Sequence, residues 1–421
     1  MVTTDRTQTA ILHYTAPPVV GGVEAVILAH AHVFVEAGFP VSVVTGWGEQ
    51  AALQLGVEFV RIPAMDSRYE EIVEVSKALD RGEVPGGFDG LVNRLIESLT
   101  ATLSRFDNVI VHNVFTKHFN LPLTAALHGL LDEGVIRNCI AWCHDFTWTS
   151  PRSRGKVHAG YPWDLLRTYR PDVIYVVVSK RRQRILAKLF GCPLKRIRVV
   201  YNGVDSRGLL GISTEGWALV TRLGLLESDL ILLMPVRVTR AKNIEYALRV
   251  VAAIKGKGLH PNLVVTGPPD PHDVRSMAYF RSLQDLRREL NVEAEARFVF
   301  ESGPDPDQPF TIDARIVGDL FRISDVMFMP SHREGFGMPV LEAGLAGVPV
   351  VCTDVPAAEE IGGRDVVQFD PEEGATRVAE RIVKLMEQSS VYRLRRRVQQ
   401  AYTWRAIFER DIRPMLGEKW R

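Results

Sequence analysis

Short apolar runs rich in β-branched residues alternate with helix-length periodic segments through the first half of the chain. The runs are AILHYT, VSVVTG, NVIVHN, CIAWCH, VIYVVVS and IRVVYNG, and each is followed by polar, periodic or turn-rich sequence. This alternation is typical of βαβ units. Because several runs are almost continuously apolar, we expect their strands to be covered on both faces, as the strands of a parallel sheet are.

The same alternation begins again in the second half of the chain. Its apolar runs are LILLMPVRV, PNLVVTG, ARFVFES, SDVMFMPS, GVPVVCTD and DVVQFD. Glycines and polar residues interrupt the pattern between Asn202 and Ser213, so a domain boundary is predicted there. The chain is therefore expected to be an α/β protein with one parallel sheet in each half. The last segment, VYRLRRRVQQAYTWRAIFERDIRPML, has a helical period.

Length and composition agree with two globular domains. A chain of 421 residues is longer than one hydrophobic core usually extends. Its 46% hydrophobic and 24% charged residues are close to the average of soluble proteins. The 51 basic and 50 acidic residues nearly cancel, which leaves no global electrostatic reason to bind nucleic acid. The sequence shows neither a secretion signal nor a run of about 18 apolar residues, so we expect a cytoplasmic protein without a transmembrane segment.

Two carboxylates flank a glycine-rich turn in the stretch SHREGFGMPVLEAGLAGVPVVCTD, where Glu334 lies in the turn and Glu342 lies eight positions later. Pro339 suits the first position of a helix. The free N–H groups of a helix start, at the carboxyl edge of a parallel sheet, suit an anionic phosphate. Glu334 and Glu342 would then accept hydrogen bonds from hydroxyl groups of a sugar or ribose. The alternative is that Glu342 only complements the helix dipole and that Glu334 is a solvated loop charge.

Two cations follow a predicted buried strand at the same edge of the same sheet. The stretch LILLMPVRVTRAKN places Arg237 and Lys242 five positions apart. Arg237 could neutralise a diphosphate through forked hydrogen bonds, and Lys242 could do so as a point charge. Basic residues after a strand are more often surface charges, and we interpret Arg240 as such a neighbour. Together with the helix start, however, Arg237 and Lys242 indicate an anion site.

A glycine pair lies in the first half of the chain, between the strand AILHYT and a predicted helix. Gly21 and Gly22 lack a Cβ and would let the backbone approach a ligand closely. The segment is not the GxGxxG motif of dinucleotide sites. Glycine pairs before helices are commonly only turns, so this alternative stays open.

Polar residues also end two other strands of the first half. His144 and Asp145 follow CIAWC, and His112 and Asn113 close NVIVHN. A histidine there can donate a hydrogen bond to a sugar hydroxyl or exchange a proton near neutral pH. The alternative is a histidine with satisfied hydrogen bonds beside an aspartate that caps a helix. We expect both strand ends to line an acceptor site.

The motifs GGVE, HD, VVYNGVD, VRVTRAKN and EGFGMPVLEAGLAGVPVV together resemble the retaining nucleotide-sugar glycosyltransferases of family four (group 1). The similarity spans nearly the whole chain, and its most specific element is the pair Glu334 and Glu342, separated by seven residues. The resemblance implies the GT-B fold, in which two Rossmann-like, doubly wound parallel-sheet domains face each other across a cleft. It implies an acceptor-side domain at 1–205 and a nucleotide-sugar donor domain at 206–404. A C-terminal helix, at about 405–421, would cross back onto the first domain.

The resemblance also implies roles for the site residues. Arg237 and Lys242 would hold the donor diphosphate and stabilise the leaving group. Glu342 would bind the ribose hydroxyl groups, and Glu334 would contact the donor sugar. Further donor-binding residues would be Phe336, Gly337, Met338, Gly21 and Gly22, with Gly22 approaching the reacting centre. His144 would touch the transferred sugar, while His112, Asn113 and Asp145 would lie on the acceptor side.

The function implied by this resemblance is that of a retaining hexosyltransferase without a protein nucleophile. It would move a hexose-type sugar from a UDP-, GDP- or ADP-linked donor to the hydroxyl group of a sugar, a lipid-linked sugar or a small molecule. A donor phosphate oxygen would help to take the proton, and most of the catalysis would be charge stabilisation of the departing diphosphate. The alternatives are a nucleotide-sugar epimerase or hydrolase of the same fold, or a non-catalytic protein that binds sugar nucleotides.

The resemblance implies no cofactor and no metal ion. Asp305 and Asp307 form a D-x-D sequence, which binds a divalent metal ion in another glycosyltransferase architecture, but the surrounding prolines and glycine favour a turn. Val236 departs from the family pattern, in which a glycine is frequent at this position. The basic stretches SKRRQRILAKLF and LRRRVQQ could make peripheral contact with anionic lipid, although such helix faces are more often solvated.

Overall fold

The computed structural model of the chain describes residues 6–270, 272–273, 275–305 and 307–417. The chain divides into two compact units. The N-terminal unit runs up to Val204 and takes in the chain again from Tyr402, while the C-terminal unit spans Asp205–Ala401. The sequence predicts the two divisions after residues 205 and 404. The predicted helix at about 405–421 extends beyond the described residues at 418–421.

The N-terminal unit is built on a parallel sheet of seven strands in its described part. The strand order is β3-β2-β1-β4-β5-β6-β7. The chain therefore moves outward from β1 in one direction and then, from β4, in the other, which is the doubly wound arrangement. The strands are β1 (Thr9–Thr15), β2 (Val41–Trp47), β3 (Val57–Arg61), β4 (Asn108–His112), β5 (Cys139–Cys143), β6 (Val173–Val177) and β7 (Ile197–Val199).

Helices connect these strands and cover both faces of the sheet. They are α1 (Gly22–Glu36), α2 (Glu70–Asp80), α3 (Phe88–Leu103), α4 (Leu121–Asp132) and α5 (Lys180–Phe190). Alternate residues of β1 pack into different cores. Ile11 packs with Ile27 and Phe34 of α1, whereas Leu12 belongs to the core that contains Leu95 of α3. Burying such a side chain on either face stabilises the fold by about 1.5–3 kcal/mol.

The C-terminal unit repeats this architecture with a parallel sheet of six strands among its described residues. The order is β10-β9-β8-β11-β12-β13. The strands are β8 (Leu230–Met234), β9 (Pro261–Val265), β10 (Ala296–Phe298), β11 (Val326–Met329), β12 (Val350–Thr353) and β13 (Val367–Phe369). Counted from β8, this is the order 3-2-1-4-5-6 of the Rossmann fold.

The helices of this unit also lie on both faces of its sheet. They are α6 (Ser206–Leu210), α7 (Thr214–Arg222), α8 (Ile244–Lys255), α9 (Ser276–Glu289), α10 (Ala314–Ile323), α11 (Met338–Ala346), α12 (Pro356–Gly362), α13 (Ala375–Gln388) and α14 (Ser390–Ala401). Ile231 of β8 packs with Leu320 of α10, and the next residue, Leu232, packs with Leu248 of α8. Within the described parts of both units, every helix is too short or too polar to span a membrane.

The prediction of two Rossmann-like, doubly wound parallel-sheet domains, the pair of domains that defines a GT-B chain, is confirmed. All twelve apolar runs named from the sequence contain a strand. The sequence prediction omits β3, whose residues VEFVR mix charged and apolar positions. Because β3 is an edge strand whose exposed positions carry charges, it lacks the continuous apolar run that marks the buried strands.

The last segment of the chain is not the single long helix that the helical period of its sequence predicts. Helix α14 ends at Ala401, and α15 (Trp404–Ile407) begins after a break that includes a bridge between Val204 and Thr403. Short π and 3-10 segments then continue to Met415. The ring of Trp404 lies 5.2 Å from that of His30 in α1, and a Cβ on Gly203 would come within 2.7 Å of the indole. Glycine at 203 thus allows the indole to pack closely against the backbone.

Candidate functional site

The residues that the sequence assigns to an anion site lie at the carboxyl edge of the C-terminal sheet. Strands β8 and β11 are neighbours in the sheet, and the strand order reverses between them. In doubly wound sheets, the loops on either side of such a reversal diverge and ligands bind between them. The loop after β8 carries Arg237 and Lys242, and the loop after β11 carries Glu334.

Lys242 and Glu334 form an ion pair at this edge. The Nζ of Lys242 lies 2.7 Å from Oε1 and 2.8 Å from Oε2 of Glu334. The Glu334 side chain is only 7% exposed and that of Lys242 22%. A backbone hydrogen bond from His332 to the carbonyl of Ala241, at 2.9 Å, holds the two loops together. Glu334 is therefore not the solvated loop charge that was the alternative interpretation.

The ion pair leaves hydrogen-bonding capacity on both partners. An ammonium group has three N–H donors, and Lys242 uses two of them on Glu334. Each carboxylate oxygen accepts more than one hydrogen bond. Lys242 can therefore still reach an anion, and Glu334 can still accept a hydrogen bond from a hydroxyl group.

Arg237 lies on a loop that is fixed by its neighbours. The amide of Val238 donates to the carbonyl of Pro268 at 3.0 Å, and the amide of Gly267 donates to the carbonyl of Val236 at 3.0 Å. Gly267 makes this close approach possible, since a Cβ there would lie 2.6 Å from the Val236 oxygen and 2.8 Å from the Cα of Arg237. The Arg237 side chain is exposed and makes no hydrogen bond or ion pair within the described residues. It is thus an unpaired guanidinium on a rigid support.

Helix α11 starts next to this loop. Gly337 precedes it with φ of 84°, a left-handed conformation that favours glycine. The helix begins at Met338, so Pro339 is its second residue rather than its first. Phe336 and Met338 are 59% and 53% exposed. Pro339 has no N–H, and the amide of Val340 donates to the carbonyl of Gly337 at 2.9 Å. The start of the helix therefore leaves the amides of Gly337 and Met338 available beside two accessible apolar side chains.

Glu342 lies on the exposed side of α11. Its side chain makes no hydrogen bond or ion pair to the part of the chain that the structure describes. Both alternatives for Glu342 therefore stay compatible with the geometry. The carboxylate is free to bind hydroxyl groups, and it also lies near the positive end of the helix dipole.

The two aspartates of the D-x-D sequence are joined by a hydrogen bond, and the turn expected from the surrounding prolines and glycine stays a prediction. The amide of Asp307 donates to Oδ1 of Asp305 at 3.0 Å. The residue between them, 306, lies outside the described residues. In the described chain, acidic, histidine and cysteine side chains form no group of three or more that could hold a metal ion.

In the N-terminal unit, the glycine pair lies at the start of α1. Gly21 precedes the helix and Gly22 is its first residue. Glu24 folds back over this start and accepts a hydrogen bond from Oγ1 of Thr15 at 2.6 Å. A Cβ on Gly21 would lie 2.2 Å from Oε2 of Glu24, whereas a Cβ on Gly22 would meet no atom within 4 Å. Gly21 thus makes room for the carboxylate, and Gly22 presents open backbone.

His112 and His144 contact each other at the carboxyl edge of the N-terminal sheet. Nδ1 of His112 lies 3.1 Å from Nε2 of His144. Burial lowers the pKa of His144 to about 4 and that of His112 well below its usual value, so both rings are neutral at pH 7. His112 has no exposed surface in this structure, and its ring contacts His144. Its place on the acceptor side stays a prediction.

Asn113 and Asp145 shape the loop that carries His144. Asn113 has φ of 63°, and its Oδ1 accepts from the backbone amides of His144 at 2.8 Å and Asp145 at 3.2 Å. Asp145 forms an ion pair with Arg182 of α5 at 2.8 Å. Asn113 therefore uses its side chain to position the loop, while Asp145 stays about half exposed.

Two residues at these edges were not identified from the sequence. His13, near the end of β1, lies beside His112, and its Nδ1 is 2.8 Å from the carbonyl oxygen of His112. Gly267 supports the Arg237 loop from the end of β9. A polar residue in the apolar run AILHYT was the available signal for His13. Gly267 carried none, since its importance depends on which strands are neighbours.

Comparison with known proteins finds relatives with glycosyltransferase names. Mannosylglucosylglycerate synthase of Petrotoga mobilis is 25% identical over 289 residues, which are 63% of this chain and 64% of that protein. D-inositol 3-phosphate glycosyltransferase of Saccharomonospora viridis is 29% identical over 227 residues, which are 52% of this chain and 50% of that protein. The chain thus spans about half to two thirds of the length of these curated relatives. The solved structure of Anabaena HepE in complex with UDP aligns with 97% of this chain and 99% of its own, at 16% identity and a TM-score of 0.34.

Family models match both units of the chain. The family described as Glycosyltransferase Family 4 matches residues 20–207 in the N-terminal unit. The family described as Glycosyl transferases group 1 matches residues 219–404, most of which lie in the C-terminal unit. These two matches together leave only short segments of the chain uncovered. The chain therefore belongs to the group 1 glycosyltransferases of family four.

Proposed function

We propose that this chain transfers a hexose-type sugar from a nucleoside diphosphate sugar to the hydroxyl group of an acceptor, with retention of the anomeric configuration. One observation carries the proposal. At the point where the strand order of the C-terminal sheet reverses, the exposed and unpaired Arg237 lies on the loop that leads to the Lys242–Glu334 ion pair. An unpaired guanidinium beside a second cation suits a pyrophosphate group.

The chemistry follows from the charges at this edge. As the bond between sugar and diphosphate breaks, negative charge develops on the leaving phosphate oxygen. Arg237 would bind the diphosphate through forked hydrogen bonds, and Lys242 would donate the N–H that Glu334 leaves free. Because these cations neutralise the leaving group, the proposal needs neither a metal ion nor a protein nucleophile.

The other predicted residues have roles that agree with their surroundings. The free carboxylate of Glu342 would bind the ribose hydroxyl groups, and Glu334 would accept a hydrogen bond from the donor sugar. Backbone N–H groups near Gly337 and Met338 would contact the phosphate or sugar. In the N-terminal unit, His144 would donate a hydrogen bond to a sugar hydroxyl.

Substitution of the unpaired arginine tests the donor site. We expect Arg237→Ala to weaken the binding of the matching nucleoside diphosphate sugar by about 10- to 100-fold, the loss of about one to two charge-assisted hydrogen bonds. Arg240→Ala is the matched control, because the Arg240 guanidinium lies over the ring of Tyr279, 4.7 Å from its centroid. Titration calorimetry with UDP-, GDP- and ADP-linked sugars measures both. Equal affinity of Arg237→Ala and the unchanged protein would show that the donor site is elsewhere.

Product analysis separates transfer from the alternatives. The relatives' names mention an inositol phosphate and a glycosylglycerate, so inositol 3-phosphate and glucosylglycerate belong in the acceptor screen. We expect a glycoside whose anomeric proton coupling matches that of the donor. An epimerised donor, or rapid release of free sugar without an acceptor, would favour an epimerase or hydrolase. Tight donor binding with no chemical change would favour a binding protein.

A further inference from the structure

His13 occupies a position at the N-terminal sheet that corresponds to the usual ligand edge. It is the fifth residue of β1, and β1 pairs with β4 where the strand order reverses. The residue is 6% exposed, and its Nδ1 lies 2.8 Å from the carbonyl oxygen of His112. A carbonyl oxygen only accepts hydrogen bonds. Nδ1 of His13 must therefore carry a proton, which is donated to this carbonyl.

The protonation of Nδ1 leaves a free lone pair on the other nitrogen of a neutral His13. Burial lowers the pKa of His13, so the ring is neutral at pH 7. Its Nε2 makes no hydrogen bond within the described residues. Unlike both ring nitrogens of His30 and Nε2 of His112, it is not among the fully enclosed polar atoms that lack a partner. Nε2 of His13 is thus an accessible hydrogen-bond acceptor held in one orientation.

His144 presents a hydrogen-bond donor where His13 presents an acceptor. The reason is again the hydrogen bond that each ring makes to His112. One proton lies between Nδ1 of His112 and Nε2 of His144. If it belonged to His144, the neutral ring of His112 would carry its own proton on Nε2, which is enclosed and has no acceptor among the described residues. A buried N–H without a partner is strongly disfavoured. His112 therefore donates from Nδ1, and the proton of neutral His144 lies on its Nδ1, which is not enclosed.

We propose that His13 and His144 form a subsite for the hydroxyl groups of a sugar, in which Nε2 of His13 accepts one hydrogen bond and Nδ1 of His144 donates another. The subsite deepens the proposed function and rests on it. A sugar offers neighbouring hydroxyl groups, and each of them can both donate and accept. An acceptor oriented by the backbone carbonyl of His112 and a donor oriented by its ring are complementary to such a ligand. Neither ring has to become charged for the sugar to bind.

The tautomers provide the first test, which needs no turnover. Histidine ¹⁵N spectra of the full chain at pH 7 distinguish protonated from unprotonated ring nitrogens. We expect protons on Nδ1 of His13, His112 and His144, and we expect the Nε2 resonance of His13 to shift when UDP-glucose, a GDP-linked sugar or inositol 3-phosphate is added. A proton on Nε2 of His13, or no shift with any of these probes, overturns the proposal.

The second test uses substitutions that keep the hydrogen bond made by one ring nitrogen and remove the hydrogen-bonding group at the other. His13→Asn retains a donor for the His112 carbonyl but loses the acceptor at Nε2. His144→Gln retains a partner for His112 but loses the donor at Nδ1. We expect each to lower kcat/KM for transfer about 10-fold, the effect of one hydrogen bond to a substrate hydroxyl. His128→Gln is the control, because His128 is a buried histidine of α4 with no place in the subsite.

The outcomes separate this proposal from the donor site. If His13→Asn melts like the unchanged protein and keeps its kcat/KM within 2-fold, the subsite is refuted while transfer stands. If Arg237→Ala leaves donor binding unchanged, the proposed function itself fails. Should His13→Asn not fold, His13→Gln serves instead, because its longer side chain places a polar group at the ε position. That variant should recover more activity than His13→Ala, and equal activity of the two would also refute the subsite.

A pH profile gives a result that a purely structural role would not. Among the described residues, the titratable groups that face His13 are Tyr14 of β1, Glu24 of α1, His112 of β4 and His144 after β5, and His30 of α1 packs against His112. When the pH falls through the lowered pKa of His13, Nε2 gains a proton and can no longer accept. We expect kcat/KM of the unchanged protein to fall at acidic pH. In His13→Asn, the acidic part of the pH profile should differ from that of the unchanged protein. An identical acidic limb in both would contradict the proposal.

Discussion

Substitution of Gly267 by alanine probes how the C-terminal unit holds its unpaired arginine. The added Cβ would lie 2.6 Å from the carbonyl oxygen of Val236 and 2.8 Å from the Cα of Arg237. Carbon atoms in contact normally lie about 3.5–4.0 Å apart. The Arg237 backbone would therefore have to move by up to about 1 Å, because backbone atoms cannot rotate out of the way as a flexible side chain can. The hydrogen bond from the Gly267 amide to Val236 would be strained by the same movement.

The expected magnitude follows from this displacement. Forcing extra volume into a well-packed site costs about 1–3 kcal/mol. In a unit of this size, each kcal/mol lowers the melting temperature by about 2–4 °C. A displacement of about 1 Å in a group that binds the reacting part of a substrate can reduce the rate about 100-fold. We therefore expect Gly267→Ala to lose donor affinity and transfer rate by about 10- to 100-fold while the protein stays folded.

Calorimetry with whichever of the UDP-, GDP- and ADP-linked sugars binds the unchanged protein, together with a thermal melt, measures both effects. The matched control is Gly318→Ala in α10, where the added Cβ would be 4.0 Å from its nearest neighbour, the Arg322 guanidinium. Alanine there should raise stability slightly, since glycine inside a helix costs up to about 1 kcal/mol. If Gly267→Ala binds the donor as tightly as Gly318→Ala does, the inference that Gly267 positions Arg237 is refuted.

Three further predictions concern stability. Lys242→Met should destabilise the C-terminal unit by about 2 kcal/mol, because it leaves the Glu334 carboxylate without its cation, and adding Glu334→Gln should recover part of this loss; equal melting temperatures of the single and double variants would contradict the coupling. Arg396→Met should cost about 2 kcal/mol, since the buried guanidinium of α14 binds Asp229 at 2.9 Å, and an unchanged melt would count against this. Burial lowers the pKa of His128 to about 4, from about 6.5 in the unfolded chain. The free energy of unfolding should therefore fall as the pH drops from 6.5 to 4, and His128 should contribute at most about 3 kcal/mol to this fall. His128→Phe should flatten that decline in melts at several pH values, and an unaltered decline would show that His128 is not responsible.

The fold was predictable because its signals are local. Apolar runs such as VIYVVVS and LILLMPVRV lie on strands that are covered on both faces, so the run itself reports the environment. The edge strand β3 was not predicted for the same reason, because an exposed strand can carry charged residues and then lacks a continuous apolar run. The break between α14 and α15 was not predicted, because the helical period of the sequence continues across it.

The sequence singled out Arg237, Lys242 and Glu334 because each follows a strand, and the carboxyl ends of parallel strands lie along one edge. Their roles in a donor site stay predictions. Their pairing was not predictable, since a loop charge can point to solvent or to a neighbour. The complete burial of His112 was not predictable either, because the end of a strand can be exposed or buried and the sequence carries no measure of this.

By itself, the sequence determined the alternation of strands and helices, the division into two sheets and the residue types available at each strand end. These features depend on hydrophobic periodicity, which is a property of residues that are close together in the sequence. Only the tertiary structure decided that Lys242 pairs with Glu334, 92 positions away, and that His13 donates to the carbonyl of His112, 99 positions away. Such contacts depend on which strands become neighbours, and that choice is made by the packing of the whole unit rather than by any local segment.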